Sequence, residues 1–350
     1  MDSSSGKLYF STLFDKNYLP KGLVLYDSLK KYCIDFELYI LCLDDFSFSY
    51  FVENKNSYPQ INLLRLQDVE ENDAALKVAK SNRSLIEYYF TLSPCLPLYI
   101  LNTFNLPHIC TLDADIVFYS SPEPLFDNLK NYSIIITPHK FYKAVQHYAK
   151  WGLYNVSFQI FKNNATGKEC LQHWKDQCIE WCYDKPDEEN GRFADQKYLD
   201  NWEHLYPGAV KALNDDVSGL AVWNLGSYKF TVNDNEFYSN DKRLIFYHFH
   251  NFKIITQKWA SNSLCSYSVK HQKSISTLYL NYWIELNKQA EKIGDFKNEY
   301  IRWGAPKKIK ERLRSENSLF LKLSDKKIIY FKFSNFFERA LKKISLAFYG

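Results

Sequence analysis

Asp113 and Asp115 are the two residues whose type and spacing most directly invite chemistry. They flank Ala114, follow the apolar run His108-Ile-Cys-Thr-Leu112 and precede Ile116-Val-Phe-Tyr119. In an extended segment, side chains two apart project to one face. Two carboxylates so placed, at the C-terminal end of a buried strand, can hold one hard divalent cation such as Mn²⁺ or Mg²⁺. Strand ends of that kind are where ligands settle in open α/β sheets. A cation held there can bridge a diphosphate and neutralise charge gathering on a departing phosphate. A solvated surface turn, the plain alternative, fits poorly between two apolar runs.

Positioning those carboxylates requires a sheet. Lys7-Leu-Tyr-Phe-Ser-Thr12, Glu37-Leu-Tyr-Ile-Leu-Cys-Leu43 and Ile61-Asn-Leu-Leu-Arg-Leu66 are β-prone runs of strand length. The second reads as a strand buried on both faces. Between the first two lies a helix with Pro20 near its start and Leu23, Tyr26 and Leu29 at helical spacing. Helical stretches are expected over 69–80 and 84–102, then over 166–182 and 194–202. Further strands are expected at 133–137, 155–161 and 244–248. This rhythm predicts an α/β fold, with a mainly parallel central sheet covered by helices on both faces.

At this point the sequence resembles a known group. Leu112-Asp-Ala-Asp-Ile-Val-Phe-Tyr119 followed by Ser121-Pro-Glu-Pro-Leu-Phe126 is similar to the Asp-x-Asp segment of GT-A glycosyltransferases. It most resembles the family-eight group, the glycogenin and galactosyltransferase-like enzymes and their bacterial relatives. Phe10-Ser-Thr-Leu-Phe-Asp15, Tyr154-Asn155-Val-Ser-Phe158, Phe193-Ala-Asp195-Gln196 and Phe246-Tyr-His248-Phe-His-Asn-Phe-Lys253 follow in the group's order. The resemblance implies a GT-A catalytic domain over 1–255, with a nucleotide-sugar half to about 120 and an acceptor half beyond it. It implies donor contacts from Thr12, Phe14, Asp15, Asp113, Ala114, Asn155 and Lys253, a metal set of Asp113, Asp115 and His248, and Asp195-Gln196 beneath the anomeric carbon. Two departures stand out. Asn251 occupies a glycine position of the late motif, and Lys253 comes one residue early. The group's arginine before the Asp-x-Asp is absent from Glu87-Tyr-Tyr-Phe-Thr91, which leaves two readings of Arg83: a substitute at the donor phosphate, or a plain surface arginine.

Each of these residues has a bland reading beside the functional one. His248, between Tyr247 and Phe249, fits a core histidine, yet an imidazole joining two carboxylates also suits Mn²⁺, and His248 is favoured over His250 for that place. Asp195 can be a helix cap, and a cap fixes a carboxylate rigidly. Asn155 is the odder residue, because asparagine is disfavoured in strands and a buried amide must find partners.

Composition narrows the class. Hydrophobic residues make up 46% of the 350 and charged residues 24%, ordinary for a globular chain. No apolar run approaches the roughly 20 residues that span a bilayer, and no signal peptide is evident. Eight cysteines lie mostly in apolar stretches without a Cys-x-x-Cys pair, which favours reduced, buried thiols and a cytoplasmic chain. The net charge of +4 is uneven: residues 306–350 carry 12 Lys/Arg against 4 Asp/Glu, and residues 1–305 carry 32 against 36. A body of that charge does not suit nucleic acid. Residues 256–350 read as a helical, basic C-terminal extension. Within it, 326–348 reads as a helix with Ile329, Phe333, Phe336, Phe337, Leu341 and Ile344 near one face. Two readings stay open there: a helix lying on the anionic inner face of the cytoplasmic membrane, or one packed on the catalytic domain.

The expected activity is therefore transfer of a sugar from a nucleotide-sugar donor, a UDP-sugar above all, to a glycan or lipid-linked acceptor in bacterial surface polysaccharide or lipopolysaccharide synthesis. The resemblance implies retention at the anomeric carbon. The alternative is an inactive carbohydrate-binding or scaffold protein at the membrane. A nucleotidyltransferase is disfavoured because Ser11-Thr-Leu-Phe-Asp-Lys-Asn17 lacks the glycines that cradle a triphosphate. A Rossmann dehydrogenase is excluded because no Gly-x-Gly-x-x-Gly follows a strand.

Overall fold

The first strand, β1 (Leu8–Phe14), is the axis of the sheet. It pairs in parallel with β2 (Phe36–Cys42) across all seven residues, and β2 pairs in parallel with β3 (Ile61–Arg65). This computed structural model describes residues 6–71, 73–256, 259–264, 266–270, 272–294, 319–324 and 327–331. Helix α1 (Leu19–Tyr32) makes the first crossover and α2 (Asp45–Glu53), capped by the Asp44 side chain, lies in the second. Then come α3 (Leu66–Glu71), α4 (Ala74–Ser81) and the long α5 (Leu85–Phe104). The expected 69–80 helix is thus two helices, because Asp73 caps a new start with its carboxylate on Leu76 N. A reciprocal Ser84/Glu87 capping box fixes where α5 begins.

From α5 the chain enters β4 (His108–Leu112), parallel to β1, and then β5 (Ile116–Phe118), which leaves the main sheet. The short α6 (Glu123–Phe126), β6 (Ile134–Pro138), β7 (Tyr154–Lys162), α7 (Ala165–Glu180), α8 (Trp202–Leu205) and β8 (Val210–Ala212) complete the first layer of the fold. The seven-stranded order is β3-β2-β1-β4-β7-β6-β8. It is mostly parallel, as expected, with β7 antiparallel to both β4 and β6. The two faces of β2 separate by alternation: Leu38 and Ile40 join one core with α1, while Tyr39 and Leu41 join a second core with α5 and α7. Helices cover both faces.

After β9 (Leu220–Ala221) and a meander of β10 (Phe230–Asn233), β11 (Glu236–Ser239) and β12 (Lys242–Arg243), the chain returns as β13 (Phe246–His248) between β5 and β9. Residues 255 and 256, where the sequence suggests a boundary, lie at the end of β14 (Lys253–Thr256). Beyond them β15 (Trp259–Asn262), helix α9 (Lys273–Lys292), β16 (Leu319–Ser324) and β17 (Lys327–Phe331) follow. α9 buries Ile275, Leu278, Tyr282, Trp283 and Leu286 in the core shared with α1. Its Gln289 amide donates to Asp27 of α1 at 2.6 Å. β14 to β17 form a four-stranded antiparallel sheet, so the extension is mixed rather than purely helical. The helix expected over 326–348 is a strand at its start, since Ile328-Ile329-Tyr330-Phe331 is β-branched and aromatic and pairs with β16. The rest of that segment, 332–348, lies outside the described residues. No helix among the described residues is long and apolar enough to cross a membrane.

Candidate metal and donor site

β4 ends at Leu112, and the backbone then turns, with Ile116 N donating to the Asp113 carbonyl at 3.2 Å. The two aspartates therefore converge through a tight turn, not through the extended alternation the sequence suggests. The reason is topological: the chain must leave one sheet and enter another between β4 and β5. Asp115 is buried, whereas the Asp113 side chain is 42% exposed.

The partner strand brings in the imidazole. In the antiparallel β5–β13 pair, Ile116 stands opposite His248, and Phe249 N donates to the Asp115 carbonyl at 2.9 Å. His248 Nε2 thus lies 3.0 Å from Asp115 Oδ1 and 3.5 Å from Asp113 Oδ2. The three residues can each aim a ligand atom at one point, these atoms all lying within 4.8 Å of one another. Two carboxylates and one imidazole, one carboxylate partly open, suit a divalent cation with positions left for other oxygens. Of the two histidines, His248 is the one in the set; His250 packs edge-on against Trp223 at 5.1 Å. His248 Nδ1 is buried and has no hydrogen-bond partner among the described residues.

The charges are strongly interdependent. Burial alone would raise Asp115, but Lys21 and His248 outweigh it and hold its carboxyl well below the usual range. Burial pulls His248 down, and the Asp115 carboxylate more than restores it. Lys21, on the first turn of α1, reaches Asp115 Oδ2 at 3.3 Å. The sequence reading missed it, although its signal was present: Lys21, Leu25 and Leu29 fall on one helical stripe, and a lysine in an apolar stripe asks for a partner.

Asp195 is buried, and burial pushes its carboxyl up to about 7, against the opposing Ser93 hydroxyl and with the charge of Asp113 adding to the rise. Ser93, also missed, donates to Asp195 Oδ2 at 2.7 Å, and Trp174 Nε1 donates to the Asp195 carbonyl at 2.9 Å. Ala194 just before it adopts φ +47°, a conformation that non-glycine residues seldom take. Gln196 donates its amide to the Trp151 carbonyl at 2.9 Å.

The remaining expected donor contacts fall into two sets. Thr12 is buried with its hydroxyl unpartnered among the described residues, and Asp15 accepts from Asn17 N at 2.9 Å and from the Tyr89 hydroxyl at 3.4 Å. Lys253 lines a narrow cleft with Asn17, Tyr18, Lys21 and Asn251. By contrast the Phe14 ring is buried against Gly22 and Phe51. Asn155 donates to the Thr137 carbonyl at 3.1 Å and accepts from Ser157, bracing β6 against β7. Arg83 stacks on Tyr183 and donates to the Ile179 and Glu180 carbonyls at the end of α7.

No family model matches the chain. Two Bacillus subtilis (strain 168) proteins do. The uncharacterized protein YfnD is 28% identical over 288 residues, spanning 81% of this chain and 90% of YfnD. The uncharacterized protein YfnF is 31% identical over 256 residues, spanning 71% of this chain and 82% of YfnF. The chain belongs to the YfnF family. A solved structure of the galactosyltransferase LgtC, in complex with donor and acceptor sugar analogs, matches this YfnF-family chain with a TM-score of 0.50 and 12% identity, covering 80% of this chain and 95% of that one. The YfnF-family chain thus has the GT-A fold.

Proposed function

We propose that this chain is a metal-dependent glycosyltransferase that takes a sugar from a nucleoside diphosphate sugar and passes it to a glycan or lipid-linked acceptor. The observation that carries the reading is the convergence of Asp113, Asp115 and His248 at a strand end of a GT-A sheet. A divalent cation, Mn²⁺ or Mg²⁺, would be held by these three side chains and would supply charge neutralisation at the leaving diphosphate. Thr12 and Asp15 stand at the end of β1 for the nucleoside, and Lys253 stands in the cleft for the phosphates.

In the proposed reaction the bond between the anomeric carbon and the diphosphate oxygen breaks. The acceptor hydroxyl attacks that carbon from the same face and gives its proton to the departing phosphate oxygen, so the anomeric configuration is retained. Asp195, ionised and held by Ser93, stabilises the positive charge that develops on the sugar ring, and Gln196 orients the sugar. UDP is the proposed nucleotide, and bacterial surface polysaccharide or lipopolysaccharide the proposed product. We place the chain in the cytoplasm, with a peripheral contact to an anionic membrane as a proposal for its basic tail.

Calorimetric titration of UDP, GDP and CMP, with and without Mn²⁺, tests the reading. UDP is expected to bind only with metal, and Asp115→Asn is expected to abolish that binding. A folded protein that binds none of the three nucleotides refutes the donor site. Proton NMR of the first-formed product tests retention separately.

A further inference from the structure

Lys21 is buried where a cation has little reason to be unless something acidic answers it. Its side chain is 7% exposed, and its Nζ lies 3.3 Å from Asp115 Oδ2, on a carboxylate that is itself 9% exposed. Burying an ion pair is a weak way to stabilise a fold, because both charges lose their hydration. The position of this pair therefore calls for another explanation, and its neighbours supply one. Asp115 is also the carboxylate that His248 shares, at 3.0 Å on its other oxygen. Lys21 further lines the same narrow cleft as Lys253, Asn17 and Asn251, so two lysines border one cleft beside the three candidate metal-ligating side chains. The first turn of α1, which carries Lys21, contains no acidic residue and no side-chain cap.

We propose that Lys21 makes metal binding and diphosphate binding depend on each other. Without donor, its ammonium balances Asp115 and so opposes a cation at the Asp113–Asp115–His248 set. When a diphosphate enters the cleft, the ammonium turns to a phosphate oxygen, and Asp115 is released to the cation. The inference rests on the donor-site reading above, and it adds a positioning residue that neither the sequence nor the metal set alone requires. The physical basis is a conflict of charges. A dication and an ammonium that share one carboxylate repel each other, and a diphosphate between them turns that repulsion into two attractions. Site reciprocity then follows: whatever the diphosphate does to metal affinity, the metal must do to diphosphate affinity.

A lysine that merely braced Asp115 would behave oppositely when removed, since a loosened ligand weakens metal binding. Calorimetry with Mn²⁺ alone on the full chain separates the two roles. Without nucleotide, Lys21→Gln is expected to bind Mn²⁺ about tenfold more tightly than the unsubstituted protein, and with saturating Mn²⁺ to bind UDP about tenfold more weakly. Lys21→Arg keeps the charge and should hold Mn²⁺ as weakly as the unsubstituted protein does. Should Lys21→Gln fail to fold by circular dichroism, Lys21→Met keeps the stem, drops the charge and carries the same expectation. Equal or weaker Mn²⁺ binding by the neutral variants overturns the proposal while leaving the donor site intact. If the unsubstituted protein binds neither Mn²⁺ nor Mn²⁺ with UDP, the donor-site reading falls and this inference falls with it.

Discussion

The Ser93 hydroxyl of α5 donates to Oδ2 of Asp195 at 2.7 Å, joining two residues 102 positions apart across the second core. That bond favours the ionised carboxylate in surroundings that otherwise resist it, where burial and the charge of Asp113 push Asp195 up to about 7. Removing the donor should push it further. A hydrogen bond to a charged group contributes about 1.5–3 kcal/mol, so Ser93→Ala should move the acid limb of the kcat profile upward by about one pH unit or more. Turnover measured from pH 5 to 9 checks this. An unmoved limb would mean that Asp195 is not the group whose ionisation the reaction needs.

Asp195 also links stability to pH. Its ordinary value is near 3.8, and the fold lifts it to about 7, so between those values the folded chain holds a proton that the unfolded chain has released. The contribution is fully present below about pH 4 and is lost as the pH rises through 7. Asp195→Asn cannot ionise and keeps an oxygen that accepts from Ser93. In metal-free buffer the variant should gain on the unsubstituted protein as pH rises from 4 to 8, by at most about 4 kcal/mol. Thermal melts of both proteins across that range give the comparison, and parallel curves would show that the carboxyl is not buried as described.

His248 is the nitrogen ligand of the proposed metal set, and its place is fixed by the Ile116–His248 register rather than by a loop. Altering the residues behind a metal ligand commonly costs 10–100-fold in affinity, so losing the ligand itself should cost at least about that. His248→Ala is expected to lower Mn²⁺ affinity in the presence of UDP to this extent, by calorimetry. It should not unfold the chain, because the β5–β13 backbone pairing does not use the ring. Unchanged affinity would remove His248 from the site and return attention to His250.

What the sequence reveals of this fold follows the range of the interactions involved. β1, β2, β3, β4, α1, α5 and α7 are legible because each carries its own period, length or cap, as the Ser84/Glu87 box does for α5. Asp113, Asp115 and His248 are legible as types in order. The tight turn between β4 and β5 is not, because it follows from a change of sheet that only long-range pairing dictates. The reversed direction of β7 is hidden for the same reason, since a buried strand reads alike in either direction. Lys21 and Ser93 were passed over because each looks ordinary alone, and only the fold sets one against Asp115 and the other against Asp195. β15, β16 and β17 lie in a basic stretch whose composition masks its pairing.

Arg83 offers the sharpest contrast between motif order and geometry. As a substitute for a phosphate-binding arginine it would point toward the donor. In the fold its guanidinium lies 4.0 Å over the Tyr183 ring, donates to the Tyr183 hydroxyl at 2.5 Å, and meets the Ile179 and Glu180 carbonyls at 3.1 and 3.3 Å. A cation on the last carbonyls of a helix is favourable by both hydrogen bonding and the helix dipole. Arg83→Ala should therefore lower stability by about 1–2 kcal/mol, reading as a drop of a few degrees in Tm. It should leave UDP affinity with Mn²⁺ within about twofold, well below the 1.4 kcal/mol that a tenfold change requires. The reverse result, an unchanged melt with UDP affinity lost, would return Arg83 to the donor phosphate and show that the 183 segment rearranges when the nucleotide binds.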